Sequence, residues 1–143
     1  MSRKIDAHMH VWKMARGDYD WLTPDLSGIY RDFGIDDAWG DAAKAGVSGV
    51  ILVQAAATTA ETDYMLSIAA NDNRVAGVVG WVDFEALSAS ENVARLAENS
   101  HIVGLRPMIA DLPDPDWILR QDLKPAIEAM EAGGLVLDGH AHP

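Results

Sequence analysis

Short runs rich in Val and Ile recur along the chain at 5–11, 49–54, 75–82, 102–107 and 135–138, with longer amphipathic stretches between them. This alternation constrains the fold more than any other feature. Gly49-Val50-Ile51-Leu52-Val53-Gln54 is apolar at consecutive positions rather than at every second one, the pattern of a strand covered on both faces in a parallel sheet. The intervening stretches read as helices. Thr58 and Glu61 have capping-box spacing ahead of Met65, Ile68 and Ala69, and Ser88 and Glu91 repeat it ahead of Val93, Leu96 and Ala97. A third helix is predicted over 36–45, stopped by Gly46, and a fourth from near Pro125 to Gly133-Gly134.

Strand and helix in strict alternation imply an α/β fold with parallel crossovers. No G-x-G-x-x-G or G-x-x-x-x-G-K-[ST] follows any strand, which favours a (βα)8 barrel over an open doubly wound sheet. A whole barrel takes about 250 residues. The 143 residues therefore read as a single incomplete domain over 1–143, (βα)4 plus a fifth strand, whose remainder is expected from elsewhere. An incomplete barrel leaves strand edges open, so self-association into a homo-oligomer through those edges is expected.

Composition excludes several function classes. Twenty-two acidic against 11 basic residues give a formal charge of −11, which repels nucleic-acid phosphates and anionic lipid. Neither a nucleic acid nor a membrane is an expected partner. With no cysteine, any metal must be held by His or carboxylate. No apolar stretch approaches the roughly 20 residues of a membrane span, and no signal h-region follows the N-terminus, so a cytoplasmic location is the default expectation.

Side chains alternate across a strand, so Asp6, His8 and His10 share one face of the first strand. Two imidazoles at i and i+2 near the C-terminal end of a barrel strand can hold a divalent cation from one side, with Asp6 behind them to orient. A bare His-x-His is a weak motif, and two unrelated surface histidines are the plain alternative. A second His-x-His, His140 and His142, follows the fifth strand with Asp138, where a frayed tail is the competing explanation. Arg106 ends the fourth strand and can grip a carboxylate or sugar oxygens, or simply pair with one of many acids. Gln54, Trp81 and Asp83 end other strands. The long connections 12–35 and 108–119 contribute Trp12, Tyr19, Trp21, Tyr30, Phe33, Asp111 and Trp117 toward a pocket or toward mere capping of the barrel mouth. No Ser-His-Asp order, nucleophile elbow or His-Glu-x-x-His is present.

Together, Ile-Asp-Ala-His-Met-His-Val-Trp at 5–12, Gly-Asp-Tyr-Asp-Trp-Leu-Thr-Pro at 17–24, Tyr-Arg-Asp-Phe at 30–33, Val-Gln-Ala at 53–55, Gly-Val-Val-Gly-Trp-Val-Asp at 77–83 and Gly-Leu-Arg-Pro at 104–107 resemble the amidohydrolase-2 family, and within it the sugar lactonases. The resemblance runs from residue 4 to about 138. It implies a (βα)8 TIM-type barrel that opens a sugar lactone with water to an aldonic acid. It further implies that His8 and His10 are catalytic, either binding a divalent metal such as zinc or, as in metal-free relatives, polarising the carbonyl directly. Arg106, Gln54, Trp12 and Trp81 are the implied substrate-binding positions. The family's later histidine and its water-activating aspartate on the last strand have no counterpart here, and Asp138 would be an unorthodox substitute. Two other readings remain open: an inactive half-barrel that self-associates and holds a metal through its histidines, and a hydrolase or decarboxylase of an aromatic dicarboxylate gripped by Arg106.

Overall fold

The computed structural model describes residues 3–140. Five parallel strands, β1 (Ile5–Met9), β2 (Gly49–Val53), β3 (Val75–Gly80), β4 (Ile102–Leu105) and β5 (Val136–Leu137), form one sheet in the order β1-β2-β3-β4-β5. Four helices connect them: α1 (Ile35–Lys44), α2 (Thr59–Ala69), α3 (Ala89–Ala97) and α4 (Lys124–Ala132). A doubly wound sheet reverses direction at some strand, whereas here every crossover steps the same way. With right-handed crossovers, that order puts all four helices on one face and leaves the other as the inner wall of a barrel. The expected half of a (βα)8 barrel is what the chain forms.

Local chemistry sets most helix ends. At α1 the Gly34 N–H donates to Asp37 Oδ2 at 2.8 Å, and the helix stops ahead of Gly46, whose φ of +80° is left-handed. At α2 Thr58 Oγ1 accepts the Glu61 N–H at 3.0 Å. Ser88 departs from the expected pattern: its side chain makes no cap bond at α3 and instead accepts from Asn92 Nδ2 at 3.1 Å. Pro125 lies in the first turn of α4, where its missing N–H costs nothing.

The sheet buries its outer face in two apolar groups. Val50, Leu52, Val75, Val78 and Ile102 pack with Met65, Ala69 and Ile35, and Leu105 packs with Val93, Ala126, Met130 and Trp117. A third, smaller group of Trp12, Tyr19, Ala55 and Ala56 sits where the strands end. It seats the long connection after β1, which the Trp12–Phe33 backbone pair closes in both directions at 2.9 and 3.0 Å.

All strands run one way, so their C-terminal ends share a rim. The residue following each strand is, in order, His10, Gln54, Trp81, Arg106 and Asp138. Strands shorter than the apolar runs suggested bring these residues onto the rim rather than into the sheet.

Candidate active site

β1 projects His8 and His10 to one side, and their Nε2 atoms lie 3.1 Å apart. His10 Nδ1 sits 2.9 Å from the Val53 carbonyl, which can only accept, so Nδ1 carries the proton and Nε2 presents its lone pair to His8. Burial, with Arg106 and His8 nearby, holds the His10 imidazole below its ordinary pKa, against the opposing pull of the Val53 carbonyl and Asp138. Asp6 orients the backbone rather than an imidazole: its Oδ1 accepts the His8 N–H at 3.1 Å.

Gln54 and Arg106 clasp each other across β2, β3 and β4. Gln54 Nε2 donates to the Arg106 carbonyl at 2.8 Å, while the Arg106 guanidinium donates to the Gln54 carbonyl and, at 3.3 Å, to Gln54 Oε1. Gln54 has no exposed surface, and Arg106 keeps 6 %. Burial draws the guanidinium below the ordinary arginine range, against the carboxylates of Asp138 and Asp111. Its Nε has no partner among the described residues.

Arg106 and His10 face one cavity of about 330 Å³. Trp12, Trp21, Ala55 and Met108 form its apolar wall, and Asp111 and His140 complete its polar side. The two indoles meet edge to face at 5.4 Å, each anchored by its N–H: Trp12 to the Arg31 carbonyl and Trp21 to the Ala55 carbonyl, both at 2.7 Å. The carbonyl of His140 accepts the Ala110 N–H at 2.9 Å, and its Nδ1 is buried without a partner among the described residues. His142 lies outside the described residues. Trp81 faces elsewhere, lining a separate hollow with Phe84, Pro107 and Trp117, its backbone held in both directions by Thr62 Oγ1 at 2.8 and 2.9 Å.

The structure also assembles a network that motif reading does not reveal. Glu61, fully buried, accepts from the Ala55 N–H at 3.0 Å and the Tyr19 hydroxyl at 2.7 Å, with Arg16 at 3.3 Å. Its one sequence signal, the capping-box spacing, points to the wrong partner: the carboxylate leaves Thr58 and turns inward.

The imidazole pair fits two corners of a metal's coordination shell. Nitrogens bound to one zinc at about 2.0–2.1 Å with near-tetrahedral angles lie roughly 3.0–3.4 Å apart, and a backbone carbonyl on the far nitrogen is the usual orienting partner. Among the described residues no third His or carboxylate joins them in a cluster of three.

An amidohydrolase family model matches residues 5–143. An L-fucono-1,5-lactonase of Burkholderia ambifaria is 43% identical over 143 residues, all of this chain and 49% of the relative. An L-fucono-1,5-lactonase of Burkholderia multivorans is 34% identical over 112 residues, 78% of this chain and 37% of the relative. A crystal structure of an amidohydrolase from Burkholderia multivorans with bound zinc superposes with a TM-score of 0.85 at 28% identity, covering 96% of this chain and 48% of that one. The chain thus spans about half the length of the relatives it matches.

Proposed function

Because the chain belongs to the amidohydrolase family, we propose that its cavity binds a sugar lactone and takes part in opening it with water to an aldonic acid. The half of the relatives' length that this chain does not span would complete the site. The observation that carries this reading is the meeting of His10, Arg106 and two indoles around one cavity, in a chain 43% identical along its length to an L-fucono-1,5-lactonase.

In lactone hydrolysis a water oxygen bonds to the carbonyl carbon, the ring C–O bond breaks, and the ring oxygen leaves as a hydroxyl after taking a proton. His10 lines the cavity, its Nε2 3.1 Å from that of His8, and the carbonyl would lie at this end. A divalent cation held by their Nε2 atoms would act as a Lewis acid on that carbonyl. Arg106 donates to ring hydroxyls, Asp111 accepts from them, and the Trp12–Trp21 wall covers the C–H face of the ring. Asp111 and Asp138 flank the one buried guanidinium, which suits a neutral polyhydroxy ring better than a dicarboxylate. The water-activating base is expected from the unspanned half.

Turnover of a panel of sugar 1,5-lactones and of aromatic dicarboxylates, followed by acid release, tests this reading. Activity toward lactones alone supports it, and Arg106→Ala should then lower kcat/KM roughly 10- to 100-fold, the worth of a charged hydrogen bond. Inactivity of the chain toward both panels, alone and with the C-terminal half of a relative added, would remove it. Zinc titration calorimetry is the independent check on the pair: His8→Ala should weaken binding more than about tenfold.

A further inference from the structure

Apart from Met108, the apolar wall of the cavity is carried by two loops that pack outside the two main apolar groups of the sheet. The loop after β1 brings Trp12 and Trp21, and the loop after β2 brings Ala55. Both loops converge on one buried side chain. Glu61 Oε1 accepts the Ala55 N–H at 3.0 Å, and Oε2 accepts the Tyr19 hydroxyl at 2.7 Å, so a single carboxylate spans the gap between them. The same residue, Ala55, receives the Trp21 indole N–H on its carbonyl at 2.7 Å, which places Trp21 one peptide from the carboxylate. Arg16 then ties the near end of the first loop into the arrangement. It donates to the Tyr19 hydroxyl at 3.2 Å and to Asp18 Oδ2 at 2.6 Å, and Asp18 in turn receives Thr58 Oγ1 at 2.8 Å.

A buried carboxylate is expensive, and burial raises the Glu61 pKa even though Tyr19, Ala55 and Arg16 all favour its charged form. A leucine would match the volume but leave the Ala55 N–H and the Tyr19 hydroxyl without an acceptor. What the carboxylate adds is two acceptors at a fixed separation, aimed at two different loops.

We propose that Glu61 is a positioning residue for the lactone site: it touches no substrate but sets the spacing of the Trp12–Trp21–Ala55 wall by bridging Tyr19 and the Ala55 N–H. This rests on the lactone reading only for the identity of the ligand, not for the bridge itself.

The test is Glu61→Gln, which keeps the volume but cannot accept at both ends. Label the protein with 5-fluorotryptophan, assign the five indoles by substitution, and record ¹⁹F spectra alongside the melting curve and the affinity for an aldono-1,5-lactone or its aldonate. The expected result is that Trp12 and Trp21 shift or broaden while Trp39 and Trp117 stay put, and that ligand affinity falls about tenfold. Where turnover is measurable, KM should rise while kcat changes less than about threefold. Tyr19→Phe, which removes one hydroxyl only, should move the same two signals and serves if Glu61→Gln does not fold. Unmoved Trp12 and Trp21 signals, or all five indoles moving together, would overturn the bridge. Selective movement with undiminished affinity would overturn its role in the site. If the unaltered protein binds no lactone at all, the functional reading fails and the fluorine spectra alone decide the bridge.

Discussion

Gln54 and Arg106 show how a single buried pair serves both stability and recognition. Each side chain satisfies the other's backbone carbonyl, so neither can be removed without leaving a buried polar atom bare. Gln54→Leu should cost about 1–3 kcal/mol in urea unfolding, because the buried Arg106 carbonyl loses its donor, and should weaken ligand binding, because the guanidinium keeps the backbone carbonyl of residue 54 but loses its contact with Oε1. Titration acts elsewhere. Arg74, bonded to Asp72 at 2.6 Å, holds that carboxyl below its usual range. A carboxyl with a depressed folded-state pKa contributes stability above its unfolded pKa of about 3.8–3.9 and loses it as pH falls through the folded value. Asp72→Asn should therefore lower the melting temperature near pH 7, and the difference should close as pH falls through the depressed folded value; a gap that persists in strong acid would assign the effect to packing. The His8 and His10 pair was legible from strand alternation alone, because alternation is a property of the backbone. Glu61 was not: the donors to its carboxylate come from residues 6 and 42 positions away, and spacing within one helix carries no trace of them.

At the scale of elements, β5 is the piece on which the end of the site depends. It has two residues, paired as Gly104↔Val136 and Leu105↔Leu137, and it carries Asp138 and His140 toward Arg106 and the cavity. A Cβ on Gly104 would lie 2.6 Å from the Val136 carbonyl oxygen, a backbone atom that cannot turn aside. Gly104→Ala should push β5 off the sheet, costing about 1–3 kcal/mol and releasing protection of the Asp138 amide, which hydrogen exchange reads directly. Retained protection at Asp138 would show that β4 yields instead. The helices were readable because caps and glycine stops are local. Thr58 caps α2 as its spacing indicated, and Gly46 and Gly134 take up left-handed φ beyond α1 and α4. Strand ends were less readable. The apolar runs continue past β1 and β4 into rim residues that are buried by loops, so hydrophobicity overstates strand length. Trp81 follows β3 as predicted, yet it lines a neighbouring hollow and not the cavity of His10 and Arg106, a difference that a strand-end position alone does not carry.

For the molecule as a whole, the sequential strand order and single helix layer make a curved wall with two open sides. Among the described residues β1 pairs only with β2, and β5 only with β4. β5 presents Val136 at 64% and Leu137 at 41% exposure, apolar side chains beside unpaired backbone donors and acceptors. Such an edge accepts another strand readily, and native sheets blunt it with charge, above all with lysine. In light scattering the mass is expected to rise with concentration above that of one chain. Val136→Lys places a charge on the edge without touching the core, so it should lower the mass toward the single-chain value while leaving the melting curve within a few degrees. A charge at Leu119, equally apolar at 70% exposure but outside the sheet, is the control and should leave association unchanged. If the single-chain mass holds at every concentration, the exposed edge is tolerated as it stands. If Leu119→Lys lowers the mass as much as Val136→Lys does, association is general apolar stickiness and not strand pairing.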